Sequence, residues 1–184
     1  MKTEILQILR NTDGYVSGQQ LCDTLGVSRT AVWKVINQLK EEGYEIEAVR
    51  NRGYRIVEAA DVLNASELKS RLHTKHIGSK VYYQSEIDST NSWLKRLAEE
   101  GAPDGSVTIA DMQSRGKGRR GRVWVTPFGT SIPFSILLRP DIRPERASML
   151  TLVMGLCVAE AMEQLYGMEV GIKWPNDVVV NGKK

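Results

Sequence analysis

The chain is 184 residues long, 41% hydrophobic and 26% charged, proportions that exclude a disordered or low-complexity polypeptide and leave room for one large domain or two smaller ones. A formal net charge of +3 does not by itself mark a nucleic-acid binder, so any role for the cations rests on where they cluster. The charged N-terminus MKTEILQILR shows no secretory signal, the uncharged run from Ala147 to Ala159 is too short to span a bilayer, and Cys22 and Cys157 sit far apart in apolar helical patterns as small buried thiols, so the sequence reads as cytoplasmic, with no membrane association, disulfide or metal site.

Ile5, Leu6, Ile8 and Leu9 mark a first helix, which the segment Asn11 to Gly14 ends. A second helix runs from about Ser17, whose hydroxyl can cap it, to Leu25. In the following LGVSRT, Gly26 suits a left-handed terminator, and Ser28 caps a third helix that turns Ala31, Val32, Val35, Ile36 and Leu39 inward. After Gly43 the period changes: YEIEAV and YRIV alternate on either side of NRG, a β-hairpin. Three helices and a hairpin make a winged helix-turn-helix over residues 1–60. Its third helix carries Ser28, Arg29, Thr30, Lys34 and Lys40, and its wing tip carries Arg50 and Arg52. Cations concentrated there can meet phosphates and base edges, which points to DNA; a winged helix used only for protein contacts is the other reading.

Residues 61–79 read as a polar linker with a short helix at about Ala65 to Leu72. His73 and His76 have helical spacing but no third ligand nearby, so they are expected to face solvent. From Val81 strand and helix alternate: VYYQSEI, a helix from Ser89 to Glu100 closed by Gly101, the strand SVTIADMQ, then SIPFSILLR, with Pro133 placing it at an edge or bulge. A long buried helix from Ala147 to Tyr166 and the strand material GIKWPNDVVV follow. The class is α+β, with a mixed α/β sheet domain over residues 80–184. The final VVVNGKK carries the Asn-Gly hairpin signal with two residues left for the returning arm, so this sheet domain is expected to be incomplete.

Three short stretches carry chemistry. Within Gln113 to Trp124, the segment SRGKGRRGR packs five cations and three glycines with no acid. Backbone amides freed by glycine, with Arg and Lys between them, can hold phosphate or carboxylate. The spacing matches neither GxxxxGK[ST] nor GxGxxG, and by composition alone an RNA-binding segment fits equally well. DSTN, Asp88 to Asn91, sets small hydrogen-bonding side chains at a helix start, where they can cap or recognise a ligand. KWPND, Lys173 to Asp177, gathers a cation, an aromatic, a proline and two polar groups at the end of a strand.

Taken in this order behind a winged helix, the three stretches and the terminal GKK resemble the bacterial biotin protein ligases, in the bifunctional subgroup that also represses biotin genes. The resemblance covers essentially the whole chain. It implies a catalytic domain of the biotin/lipoate ligase type that joins biotin to ATP, with Mg2+ expected beside the nucleotide, and passes biotin to a lysine of a carboxylase carrier domain. It also implies operator DNA as a partner and a homodimer when liganded. By position, Ser89, Thr90, Asn91, Gln113, Lys117, Gly118, Arg119 and Lys184 correspond to biotin-binding residues. Arg119, Arg120, Arg122, Trp124 and Asn176 correspond to ATP or adenylate contacts, and Lys184, Asp177 and Arg119 to catalytic ones. Lys117 stands where the family usually has arginine, replacing a bidentate fork by a point charge. A non-catalytic regulator that senses biotin or its adenylate is the alternative the same residues allow.

Overall fold

The computed structural model describes residues 1–58 and 63–183, with only the backbone described for Glu58 and Arg119. The described residues fall into two compact units, Met1–Leu138 and Arg139–Lys184.

Capping chemistry sets the first helices. In α1 (Lys2–Arg10), α2 (Gly18–Leu25) and α3 (Arg29–Glu41) the apolar residues recur on one face. Ser17 Oγ accepts from Gln20 N at 3.0 Å, Ser28 Oγ accepts from Ala31 N at 3.3 Å, and Gly26 ends α2 at φ +65°. Strands β1 (Glu45–Val49) and β2 (Gly53–Glu58) pair antiparallel as the wing. Val16 joins them through two bonds with Tyr54, both 2.9 Å. A side chain at Gly53 would meet the Val16 carbonyl at 2.0 Å, so the residue there must be glycine. Ile5, Leu6, Leu21, Val32, Ile36 and Leu39 are all but fully buried beneath the wing.

The segment expected to be a linker does more than connect. Residues 59–62, at the expected domain boundary, lie outside the described residues. Helix α4 (Ala65–Arg71) begins under a cap from Asn64 Oδ1 to Glu67 N and packs on α1. The Glu67 carboxylate is buried and accepts from Arg10 Nη2 at 2.6 Å, from Arg71 Nε at 2.7 Å and from the Tyr44 hydroxyl. Burial pushes this carboxyl up, but the bonds from Tyr44, Arg10 and Arg71 outweigh it, leaving the group below the ordinary carboxylate range. His73 and His76 are exposed as expected; His76 Nε2 lies 3.1 Å from Asp104 Oδ2.

Beyond α4, strand β3 (Val81–Ile87), helix α5 (Thr90–Glu99) and strand β4 (Val107–Lys117) form a βαβ unit with parallel strands. On its other side β4 pairs antiparallel with both β5 (Val123–Thr126) and β6 (Phe134–Ile136). Two expectations change here. Strand β4 runs on past Gln113 to Lys117, because pairing of Gly116 with Trp124 and of Lys117 with Val123 overrides the weak strand propensity of glycine and lysine. The strand expected from SIPFSILLR shrinks to Phe134–Ile136, with the Pro133 carbonyl just before it accepting from Ala110 N at 3.1 Å.

The second unit holds α6 (Met149–Tyr166), β7 (Val170–Lys173) and β8 (Asp177–Val180). Gly167 ends α6 at φ +63°, and β7 and β8 pair as an antiparallel hairpin through a turn with a cis Trp174–Pro175 bond. The Asn-Gly turn forms as expected: Asn181 and Gly182 have φ +51° and +74°, and Val180 and Lys183 exchange backbone bonds of 2.8 and 3.0 Å. The expected burial of α6 does not hold. Only Gly155 and Ala159 are buried, whereas Met149, Val153, Leu156 and Leu165 are exposed, and Cys157 is exposed rather than a buried thiol. The helix is apolar around its circumference, and within its unit the β7–β8 hairpin covers one strip of it. By length and composition the 23-residue segment Pro144–Tyr166 would suffice to cross a bilayer, a longer stretch than the uncharged run read from sequence, although it includes Glu145, Arg146, Glu160 and Glu163.

Candidate functional site

In sheets with parallel strands, ligands gather outside the carboxyl ends of those strands. There β3 runs into DSTN and the start of α5, and β4 runs into the glycine-arginine stretch. Ser89 is the N-cap residue of α5 and is buried, yet its own side chain makes no capping bond. The cap comes from across the sheet: Gln113 Oε1 accepts from Thr90 N at 2.9 Å and from Thr90 Oγ1 at 3.1 Å. Thr90 Oγ1 lies 3.0 Å from Ser135 Oγ, the Thr90 carbonyl accepts from Thr108 Oγ1 at 3.1 Å, and Gln113 Nε2 donates to Thr126 Oγ1 at 3.2 Å. Thr90, Thr108 and Thr126 are buried, so this polar cluster is fixed by its own bonds rather than by water.

Sequence reasoning named Thr90 and Gln113 but missed Thr108, Thr126 and Ser135. Thr108 left a signal, a hydroxyl flanked by Val107 and Ile109 in a buried strand; Thr126 and Ser135 left none.

Beside this cluster the cations are placed on a paired arm. Arg115 N donates to the Asp88 carbonyl at 2.8 Å, stitching DSTN to β4. The Asp88 carboxylate is held by Arg96, with bonds of 2.9 and 3.0 Å, and by the Ser89 amide; together they bring its pKa down to about 2. Gly116 packs so closely on β5 that a Cβ would lie 2.3 Å from the Trp124 carbonyl. Lys117 Nζ donates to Ser92 Oγ at 2.9 Å, drawing the arm toward the first turn of α5, where Asn91 is exposed. A 3-10 turn over Arg119–Gly121 then reverses the chain, with Arg120 at φ +56° and Gly118 N donating to the Arg122 carbonyl at 2.8 Å. The side chains of Arg120, Arg122 and Trp124 are exposed. The stretch expected as an open loop is thus largely a β-arm with a tight cationic tip, beside a helix N-terminus that itself favours anions.

In the second unit, KWPND forms the turn between β7 and β8, closed by the pairing of Lys173 with Asp177, and Asn176 Nδ2 donates to Asp177 Oδ1 at 2.9 Å. Lys184 lies outside the described residues.

Sequence models of two families match the chain: an HTH domain over residues 2–55 and the Biotin/lipoate A/B protein ligase family over residues 83–184. The chain belongs to the biotin/lipoate A/B protein ligase family. Among curated relatives of the chain, the bifunctional ligase/repressor BirA of Bacillus subtilis strain 168 is 42% identical over 170 residues, 92% of this chain and 52% of that protein. The protein of the same name from Escherichia coli K12 is 36% identical over 182 residues, 98% of this chain and 54% of that protein. The chain therefore spans about half the length of the curated relatives it matches. A solved biotin protein ligase from Leishmania major, in complex with biotinyl-5-AMP, superposes with a TM-score of 0.51 at 21% identity, covering 57% of this chain and 49% of that one. At that identity the match bears on the fold, which is the α+β class with a mixed sheet read from the sequence.

The winged helix turns a basic face outward. Ser28 caps α3, and Arg29, Thr30, Lys34 and Arg50 are exposed. Arg29 Nη2 donates to Gln19 Oε1 at 2.8 Å, and a cleft of about 450 Å³ between α3 and the wing is lined by Arg29, Arg50 and Arg52 among others. The Arg52 guanidinium stacks 4.5 Å over the Tyr15 ring, which restrains its direction.

Proposed function

We propose that the chain is the DNA-binding and biotin-activating portion of a bifunctional biotin protein ligase that also represses transcription. The observation that carries this reading is the Thr90–Gln113 cluster beside the cationic arm, at the carboxyl ends of β3 and β4 and behind a winged helix. In the first step the biotin carboxylate attacks the α-phosphorus of ATP, expelling pyrophosphate and leaving biotinyl-5′-AMP. In the second, the amine of a carrier-domain lysine attacks the activated carbonyl, forming an amide and releasing AMP and a proton.

The first step brings anions together, and the chain meets that repulsion with Arg119, Arg120 and Arg122 at the arm's tip. Ser89, Thr90, Asn91 and Gln113 offer hydrogen bonds to the polar groups of biotin, while Lys117 and Gly118 close over it. Asn176 and Trp124 belong with the adenylate, and Asp177 orients the incoming lysine or takes its proton. Lys184 contacts the carboxyl and phosphate oxygens. Mg2+ would be carried on the nucleotide's phosphates; among the described residues no group of three or more His, Cys, Asp or Glu side chains could hold a metal. The adenylate acts as corepressor by ordering the arm, which favours a homodimer on a palindromic operator in the cytoplasm.

The test is covalent labelling. A protein of the relatives' full length carrying this sequence is mixed with ATP, biotin and a carboxylase carrier domain, and carrier-bound biotin is measured. ATP-dependent label on one lysine is expected. Retention of biotin or its adenylate without any label would instead establish a sensing regulator that lacks catalysis.

A further inference from the structure

Trp33 lies on the outer face of α3, outside the buried core of its domain. The indole is 56% exposed, while Val32, Val35, Ile36 and Leu39 of the same helix fill the core. Helical spacing sets it four residues after Arg29 and three after Thr30, with Lys34 next to it, and all of these are exposed. From Arg29 to Lys40 the helix has no acidic residue. The indole stands between Arg29 and Lys34 on α3, and Arg29 also lines the cleft shared with Arg50 and Arg52, so a partner anionic at its edges and apolar at its centre would match this face.

A DNA major groove has that chemistry. Phosphates flank it, and the one apolar group on any base edge within it is the thymine C5-methyl. The indole offers an apolar face and a single N–H donor, which suits a methyl beside an acceptor such as thymine O4. We infer that Trp33 is a specificity-determining residue that packs on a thymine methyl of the operator, while Arg29, Lys34, Arg50 and Arg52 hold the duplex in register. The inference rests on the DNA-binding reading proposed above.

The experiment separates the two claims. Duplexes retained by a protein of the relatives' full length carrying this sequence, with biotin and ATP present, are enriched from a random library of roughly 30 base pairs and sequenced. Each thymine of the enriched sequence is then replaced by deoxyuridine, which deletes the methyl and keeps the base pair, and binding is followed by anisotropy. At one thymine of each half-site the replacement should weaken wild-type binding roughly fourfold, the worth of one buried methyl. It should leave Trp33→Ala binding unchanged, and Trp33→Phe should keep part of the sensitivity. If Trp33→Ala enriches the same sequences and responds to every replacement as the wild type does, the role of Trp33 is overturned while DNA binding stands. If no duplex is retained, the DNA-binding reading fails and the inference with it.

Discussion

Gln113→Ala removes the side chain that organises the candidate site. The amide spans 23 residues of sequence to cap α5 through Thr90 and also bonds Thr126. Thr90 and Thr126 are 4% and 3% exposed, so water has little access to replace what is lost. Loss of a helix cap costs about 1 kcal/mol. Leaving a buried hydroxyl such as that of Thr126 without this partner costs roughly 1–3 kcal/mol more. Thr90 Oγ1 keeps Ser135, which limits the damage at that end. The expected destabilisation is about 2–4 kcal/mol, read as a lower urea midpoint by far-UV circular dichroism. Adding Thr126→Val to the variant should restore about 1 kcal/mol, since the stranded hydroxyl is then gone. A loss below about 0.5 kcal/mol, or simple additivity of the two substitutions, would refute the cluster as the organiser of this end of the sheet.

Glu67→Ala should destabilise the first unit by about 3–5 kcal/mol, because it leaves Arg10 and Tyr44 without their shared carboxylate; urea titration of the variant measures this. The folded-state pKa of Glu67 lies below its ordinary value of 4.5, so the unfolded chain binds more protons in acid. The stabilisation is therefore complete above that value and fades as pH falls through the lowered one, and Glu67→Ala should flatten that part of the stability profile. Gly116→Ala should open the pairing of β4 with β5, seen as a loss of amide-exchange protection of roughly tenfold or more at Val123 and its neighbours. Arg119→Ala should speed escape of the adenylate from the full-length protein, giving stray biotin on lysines of an added bystander protein; unchanged retention would count against closure of the arm over the intermediate.

What the sequence made legible was local. Ser17, Ser28 and Gly26 act within four residues of themselves, and Asn181–Gly182 needs only its own backbone, so the caps and turns follow from residue type. The misreadings are non-local. Nothing near SRGKGRRGR announces that Gly116 and Lys117 pair with β5, and glycine and lysine argue against a strand until that partner exists. The side chains of DSTN could cap α5 from within, but the cap comes from Gln113 on β4. Glu67, in what read as a polar linker, becomes a buried anchor because Arg10 arrives from α1 and Tyr44 from the segment between α3 and β1. Periodicity marked α6 as apolar without saying how much of it its unit would cover. Thr90 and Gln113 stood in visible motifs, whereas Thr108, Thr126 and Ser135 join them only through pairings between distant strands.

Biotin-dependent exchange of pyrophosphate into ATP measures adenylate formation most directly. With a protein of the relatives' full length, exchange should require biotin and fall roughly a hundredfold in Gln113→Ala, the scale expected when a positioning group near the reacting carboxylate is lost. No exchange from the wild-type protein, or exchange that proceeds equally with Gln113 and Arg119 both replaced by alanine, would contradict the assignment of this site to biotin activation.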